Sequence, residues 1–209
     1  MTSSVDADGR EGPGFFIKLQ NLYNLQKEVD RIVEGVANGG PPFRLTEELI
    51  CSLHRICMMD LIPNAGSYRQ IPVEIRGSKH VCPNYIEVPN HMAAMCRYVE
   101  ANWTSRDLIH LSAFCLWRLC WIHPFSNGNG RTARAVAYMV MCARHGALLP
   151  AKTTVLAEIQ RTKAEFYQQL GRADAVYAVT QDIDAALSGL EQYLSQMLTA
   201  QLLAHFNED

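Results

Sequence analysis

The sequence predicts an all-α domain that carries one short β-hairpin. Apolar residues recur at steps of three and four over most of the chain, which is the period of one helix face. Capping residues and Gly-Pro breaks divide these stretches into separate helices. Strict apolar–polar alternation, the pattern of a half-buried strand, is convincing only around residues 71–75. Together these three observations predict a helical bundle with a single hairpin.

The composition is that of an ordinary globular domain. The chain has 209 residues, 48% of them hydrophobic and 19% charged, which is enough for one sizeable core. A net charge of −2 argues against a nucleic-acid or anionic-membrane partner. The seven cysteines form no C-x-x-C pair and mostly fall in apolar helical patterns, so we expect reduced thiols without a metal. The chain shows no signal core and no apolar run of membrane-spanning length, so we expect a cytoplasmic protein.

The N-terminal part divides into a polar tail and a helix. Residues 1–13 are polar and contain glycine, so we expect them to be disordered. A helix over about 14–37 follows and ends at the Gly-Pro break before residue 43. Its apolar stripe includes Leu19, Leu22, Leu25, Val29 and Val33. Glu34 lies opposite this stripe on a helical wheel, which is typical of a solvated surface residue.

The middle of the chain contains the second helix and the hairpin. Thr46 is a suitable N-cap for a helix that runs to about Met59. Beyond it, Ile71, Val73 and Ile75 alternate with polar residues, and Gly77 supplies a turn. This pattern predicts a β-hairpin. An ordinary surface hairpin would show the same pattern.

Two core helices and two later helices complete a single domain over 14–209. Residues 108–122 are apolar nearly all round, so we expect a central buried helix there, and a second core helix should end at His145-Gly146. Thr162-x-x-Glu165 is a capping box for the next helix. A long amphipathic helix over about 181–206 closes the domain.

The stretch HPFSNGNGRTAR, residues 123–134, combines groups suited to phosphate chemistry. Gly128, Asn129 and Gly130 allow a tight turn, and a helix that starts just after them would point free N–H groups and its positive dipole end at an anion. Arg131 and Arg134 share one helix face and can clamp neighbouring phosphates. His123, with an ordinary pKa of about 6.5, suits a general base. The alternative is a glycine turn between two helices with a structural histidine.

The same stretch resembles the signature of the Fic family, HPFx(D/E)GNGRxxR, at every fixed position but one. The resemblance extends over about 44–175 and implies a Fic-type helical bundle. It also implies that the loop binds ATP and that His123 deprotonates a Ser, Thr or Tyr hydroxyl of a target protein. That hydroxyl would attack the α-phosphate, which leaves AMP on the target. The resemblance therefore implies a protein adenylyltransferase with ATP and a target protein as its partners.

Two further segments resemble parts of Fic proteins. The hairpin, with Val73, Ile75 and Gly77, resembles the flap that aligns the target's backbone by strand addition. The segment EFYQQLGRAD resembles the family segment that lines the adenine pocket. This implies nucleotide-binding roles for Tyr167, Leu170 and Asp174. The alternative for these three residues is core packing together with a solvated aspartate.

Asp30-x-x-x-Glu34-Gly35 resembles the inhibitory motif (S/T)xxxE(G/N) of many Fic proteins, with Asp30 at the Ser/Thr position. The resemblance implies that Glu34 pairs with the second arginine of the loop, Arg134, and restrains nucleotide binding. A solvated surface glutamate is the other interpretation, and the sequence leaves both open.

Asn127 is the one departure from the Fic signature. The acidic residue at this position in the family holds Mg²⁺, a hard cation that prefers anionic oxygen. Asn127 offers a neutral amide oxygen, so we expect Mg²⁺ to be a cofactor that binds weakly at this position, and a nucleotide affinity that survives better than turnover. Three interpretations remain open. They are a slow or autoinhibited adenylyltransferase, a Fic protein that transfers another nucleotide or phosphate-containing group, and a nucleotide-binding interaction module without catalysis.

Overall fold

The computed structural model describes residues 13–75, 77–78, 80–150 and 155–206. Within these ranges the secondary structure is helical, which confirms the predicted fold class. The helices are α1 Pro13–Ala37, α2 Glu47–Met58, α3 Val88–Asn102, α4 Leu108–Ile122, α5 Asn129–His145, α6 Val155–Arg161, α7 Lys163–Thr180 and α8 Ile183–Phe206, with a 3₁₀ turn at Tyr85–Glu87. The disorder predicted for residues 1–13 concerns positions that, apart from Pro13, lie outside the described residues. None of the helices in the described ranges has both the length and the apolar character needed to cross a bilayer.

Helices α4 and α5 form the centre of the fold and make its most extensive helix pair. Both are buried on most of their surface, as the apolar composition of α4 predicts. Helices α3 and α8 cover α4, while α1 and α2 cover α5. The loop between α4 and α5 is therefore held between two buried helices, so its backbone has rigid ends.

The predicted hairpin is only partly present. Gly77 has a φ of 78°, and the Ser78 amide donates to the Ile75 carbonyl at 3.0 Å, so the turn is there. No strand occurs in the described residues of 71–83, the segment called the flap loop below. Side chains bind its two ends instead: Arg69 donates to the Ile71 and Pro83 carbonyls at 3.2 and 2.6 Å. Arg69 also bonds to the His123 and Pro124 carbonyls, so both ends of the flap loop are held beside the end of α4, and the Ile71 and Pro83 carbonyls are used by Arg69 instead of by a strand ladder.

The capping box predicted at Thr162 is wrong. The Thr162 hydroxyl donates to the Glu158 carbonyl at 2.9 Å and lies 2.6 Å from the Tyr193 hydroxyl, and it makes no cap to α7. Thr162 is the one residue between α6 and α7, so it follows the last residue of α6 and precedes the first residue of α7. Its hydroxyl therefore bonds backward, as threonines inside helices do.

Candidate active site

The loop from His123 to Gly128 joins α4 to α5 with two left-handed residues. His123 caps the end of α4 at φ 50°, and Gly128 precedes α5 at φ 78°. A Cβ on Gly128 would lie 2.6 Å from the Met58 sulfur and 2.7 Å from its Cγ. Both the backbone angle and this close approach require glycine at 128. The start of α5 can therefore sit directly against α2.

Asn129 closes the loop with its side chain. Its Oδ1 accepts from the Phe125 amide at 2.9 Å, and its Nδ2 donates to the Phe125 carbonyl at 2.8 Å. The side chain is buried, and each of its two polar atoms makes one of these bonds. Asn129 can therefore contribute to phosphate binding through its backbone amide and through the loop shape that it fixes.

His54 of α2 is a site residue that the sequence reasoning missed. It is fully buried, and its Nδ1 accepts from the Gly66 amide at 2.9 Å. Nε2 therefore carries the hydrogen and donates to the Asn127 carbonyl at 2.9 Å. The ring also stacks on Phe125 with 3.6 Å between centroids. Burial lowers the pKa of His54 to about 4, so the neutral ring that both bonds require is present at neutral pH.

Arg69 is the second residue that was missed. It is 2% exposed, and its Nε donates to the His123 carbonyl at 2.8 Å. The Arg69 amide donates to the Pro124 carbonyl at 2.8 Å. With its bonds to Ile71 and Pro83, this one side chain joins the flap loop to the backbone of His123. Arg69 therefore fixes two parts of the site relative to each other.

His123 is present as a neutral acceptor. Its Nδ1 lies 3.4 Å from the Cys120 carbonyl, which can only accept, so Nδ1 carries the hydrogen and Nε2 is left as the basic nitrogen. Burial is the main cause that lowers the pKa of His123 to about 4, and the charges of Arg69 and His80 lower it further. At neutral pH the imidazole is therefore unprotonated, and the lone pair of Nε2 is available as an acceptor.

A cleft of about 830 Å³ opens over this loop. Its walls come from the N-terminal half of α1, from Glu74 and Ile75 of the flap loop, and from Lys163 and Tyr167 at the start of α7. His123 and residues 126–131 form its floor, together with Arg134. The volume lies within the range of small-molecule and cofactor sites. The described residues thus form one cleft that contains His123, the glycine turn and both arginines.

Among the described residues, Arg131 and Arg134 have no counter-ion. Both line the cleft, and among the described residues neither forms an ion pair. Nη1 of Arg131 is buried without a hydrogen-bond partner. Burial lowers the pKa of Arg134, and the charge of Arg131 adds to that effect, although a guanidinium remains charged at neutral pH. Partly buried cations without partners favour the uptake of an anion.

Some predicted site residues lie away from the cleft. Tyr167 and Ile75 line it, whereas Leu170 packs against the hydrophobic core, and Val73 and Gly77 are not part of the wall. Asp174 accepts from the Trp117 indole at 2.8 Å and lies 3.2 Å from Nδ1 of His80. Nε2 of His80 donates to the Trp121 carbonyl at 2.8 Å. Asp174 therefore anchors the flap loop to α4 and α7.

The ion pair between Asp174 and His80 predicts the effect of Asp174→Asn. The Asp174 carboxylate is the largest cause that raises the pKa of His80 to about 10, from an ordinary 6.5. A raised pKa means that the pair stabilises the fold fully below about pH 6.5 and stops doing so as the pH rises through 10. We expect Asp174→Asn to lower the free energy of unfolding by about 2 kcal/mol at pH 6, with less effect near pH 10. Urea unfolding of both proteins at the two pH values measures this.

The asparagine keeps the acceptor for Trp117, so the substitution isolates the charge of Asp174. ATP affinity should change little, because Asp174 is not in the cleft wall. A large loss of ATP affinity with unchanged stability would instead place Asp174 in the nucleotide site.

Glu34 does not reach the cleft. It is exposed and lines a separate groove with Lys27, Asp30 and Arg31. Among the described residues it forms no ion pair, so the implied Glu34–Arg134 pair is not made. The reason is geometric: the part of α1 that lines the cleft ends at Val29, and the buried stripe fixes the rotation of the helix. An inhibitory role for Glu34 would need a different position of α1.

The donors at Asn127 do not suit Mg²⁺. Its Oδ1 accepts from the Gly128 amide at 2.7 Å, and its carbonyl accepts from His54. Glu74 is the only carboxylate among the described residues that line the cleft, and it is exposed on the flap loop. No group of three or more His, Cys, Asp or Glu side chains suited to a metal occurs in the described ranges. The loop itself therefore lacks the anionic oxygen that Mg²⁺ prefers.

Comparisons with known proteins agree on one family. Residues 44–141 match the model of the Fic/DOC family. "Protein adenylyltransferase fic-1" of Caenorhabditis briggsae is 31% identical over 126 residues, which are 58% of this chain and 22% of that protein. This chain thus spans about a fifth of the length of that curated relative.

Two solved structures show a similar fold. A Fic domain containing signaling protein from Bacteroides thetaiotaomicron superposes with a TM-score of 0.72 at 21% identity, over 96% of this chain and 77% of that one. Fic-1 from C. elegans superposes with a TM-score of 0.60 at 20% identity, over 94% of this chain and 56% of the other. At these identities the likeness concerns the fold.

Proposed function

This chain belongs to the Fic/DOC family, and from that premise we propose that it is a protein adenylyltransferase, which transfers AMP from ATP to a hydroxyl side chain of a target protein. The observation that carries the proposal is the cleft itself. It combines a neutral histidine, whose Nε2 is the basic nitrogen, with two arginines that have no counter-ion among the described residues. A base beside an anion site is the arrangement that nucleotidyl transfer requires.

The start of α5 and its arginines would hold the phosphates. The first amides of a helix have no acceptor within it, and the positive dipole end attracts anions. In α5 these amides belong to Asn129 and Gly130, in the wall of the cleft. Arg131 and Arg134 add planar donors that match phosphate oxygens. These groups stabilise the charge that develops as a phosphoryl bond breaks.

His123 would then activate the target. Its Nε2 takes the proton of the target hydroxyl, and the hydroxyl oxygen forms a bond to the α-phosphorus. The bond from that phosphorus to the oxygen bridging to the β-phosphate breaks, and pyrophosphate leaves with its electron pair. The proton on His123 passes to solvent, which restores the neutral ring.

The flap loop would align the target. Its first arm, Ile71 to Ile75, is in neither a helix nor a strand, and the backbone groups of Val73 and Glu74 make no hydrogen bond with the described residues. Such unpaired groups can accept an added strand from a partner chain. Val73, Ile75 and Gly77 therefore remain our proposed contacts to the target, with Ile75 also facing the nucleotide cleft.

A second candidate is transfer of another nucleotide. Of the three residues implied in adenine binding, Tyr167 alone lines the cleft. Adenine selectivity would therefore rest on few side chains. Incubating the protein and a mixture of candidate target proteins with α-labelled ATP, GTP, CTP or UTP tests both candidates. The adenylyltransferase proposal requires labelled protein from ATP in preference to the other three nucleotides.

A further inference from the structure

The cleft contains more positive charge than its loop motif supplies. Lys18 of α1 and Lys163 at the start of α7 line the cleft together with Arg131 and Arg134. Glu74 is the only carboxylate in the described part of the wall. Four cations and one carboxylate leave three net positive charges around a single cavity.

Three of these cations affect the same buried group, the thiol of Cys57. Burial raises the pKa of the Cys57 thiol, and the charges of Arg131, Arg134 and Lys18 all oppose that rise. Lys18 of α1 is therefore close enough to the Cys57 thiol to affect it electrostatically, as the two arginines of α5 do. Phe15 and Leu22, one turn on either side of Lys18, also face the cleft, so this face of α1 is directed at the loop.

We propose that Lys18 and Lys163 bind the outer phosphates of the nucleotide and supply the charge compensation for which the loop has no metal ligand, so that this site binds ATP without Mg²⁺. The inference rests on the proposed function, since it takes a nucleoside triphosphate as the ligand. It follows from two findings: Asn127 offers neutral oxygens that are already hydrogen-bonded, and the lysines approach from two other sides of the cleft.

Lysine suits this role physically. An ammonium group on a flexible stem binds phosphate as a point charge, and both lysines are exposed, so little desolvation opposes binding. Their effect should depend on the number of phosphates. Triphosphate binding should need the two lysines, whereas AMP, which has no outer phosphates, should not.

The experiment is calorimetric titration of the full chain with ATP and with AMP at low salt, in EDTA and in Mg²⁺. We expect wild type to bind ATP in EDTA at least as tightly as in Mg²⁺. Lys18→Met and Lys163→Met, which keep an apolar stem, should each weaken ATP binding in EDTA about three- to tenfold and AMP binding less than twofold. Lys27→Met is the matched control on the same helix, because Lys27 lines the separate groove, and it should leave both affinities unchanged.

Asn127→Asp provides a second arm. The new carboxylate should repel the triphosphate in EDTA and bind Mg²⁺ when it is present, so ATP binding should become dependent on the metal. The inference would be overturned if ATP binding by wild type required Mg²⁺ and neither lysine variant weakened it. In that case, loss of Mg²⁺-dependent ATP binding in Glu74→Gln would identify Glu74 as the metal ligand. Absence of ATP binding in either buffer would instead overturn the proposed function.

Discussion

His123→Ala is expected to reduce AMP transfer by about 10²- to 10⁴-fold and to leave ATP affinity nearly unchanged. The imidazole is the neutral proton acceptor that we propose in the cleft. Its ring bonds only to the Cys120 carbonyl of α4 at 3.4 Å among the described residues, whereas Arg69 holds the loop through the His123 backbone carbonyl. Removing the ring therefore removes the proton acceptor and keeps the phosphate site. Transfer is measured with labelled ATP, and affinity by calorimetry.

His145→Ala is the matched control, because His145 is exposed at the end of α5 and lies outside the cleft. It should retain full transfer. Undiminished transfer in His123→Ala would exclude His123 as the base.

The pKa of His123 adds a pH dependence to this prediction. Burial places it at about 4 in the free protein, so the ring is already neutral at pH 5.5 and above. We expect kcat/KM to stay level on the acid side until the pH approaches 4 to 5, and a fall centred near the ordinary 6.5 would contradict this environment.

His54 also has a lowered pKa, so both histidines make the fold less stable as the pH falls below 6.5. Thermal unfolding at each pH separates the two effects.

Arg134→Ala is expected to weaken ATP binding about ten- to a hundredfold, the cost of one charge-assisted phosphate contact. Arg134 is partly buried, lines the cleft and has no ion-pair partner among the described residues. Without nucleotide its charge is an uncompensated cost. The same substitution should therefore leave the thermal midpoint of the ligand-free protein unchanged or raise it.

Arg134→Lys should restore part of the affinity, since it keeps the charge and loses the planar fork. Equal ATP affinity of wild type and Arg134→Ala would show that the phosphates bind elsewhere. A large drop in the thermal midpoint would show that Arg134 has a structural role instead.

The helices and the loop were predictable because their signals are local. The apolar period of α4, the Thr46 cap and the glycine turn each lie within a few residues of the structure that they determine. The same holds for the grouping of His123 with both arginines, which a helix start at the glycine turn brings to one cleft.

The residues that hold the loop were not predictable in this way. His54 bonds to a carbonyl 73 positions later, and Arg69 to one 54 positions later. Such contacts leave no periodic pattern. The signals available were indirect: a histidine on the apolar face of α2 and an arginine in the segment just before the flap loop.

The wrong or incomplete predictions share a cause. The alternation of 71–75 and the box at Thr162 match local templates, but the Arg69 side chain binds the Ile71 carbonyl, and the Thr162 hydroxyl bonds to the Glu158 carbonyl and lies beside the Tyr193 hydroxyl. Asp174 shows the same competition, because a buried tryptophan and the flap-loop histidine bind it. When a short sequence pattern is compatible with more than one structure, side-chain hydrogen bonds in the folded protein therefore decide which structure forms.

The most direct test of AMP transfer is the fate of the two ends of ATP. Wild type and His123→Ala are incubated with a mixture of candidate target proteins and ATP labelled at either the α- or the γ-phosphate, and labelled proteins are identified by mass spectrometry. We predict that wild type transfers the α-label to Ser, Thr or Tyr side chains as a whole AMP and leaves the γ-label in pyrophosphate. His123→Ala should give neither AMP-modified protein nor labelled pyrophosphate. Transfer of the γ-label to protein, or bound ATP with no transfer of either label, would contradict the proposed reaction.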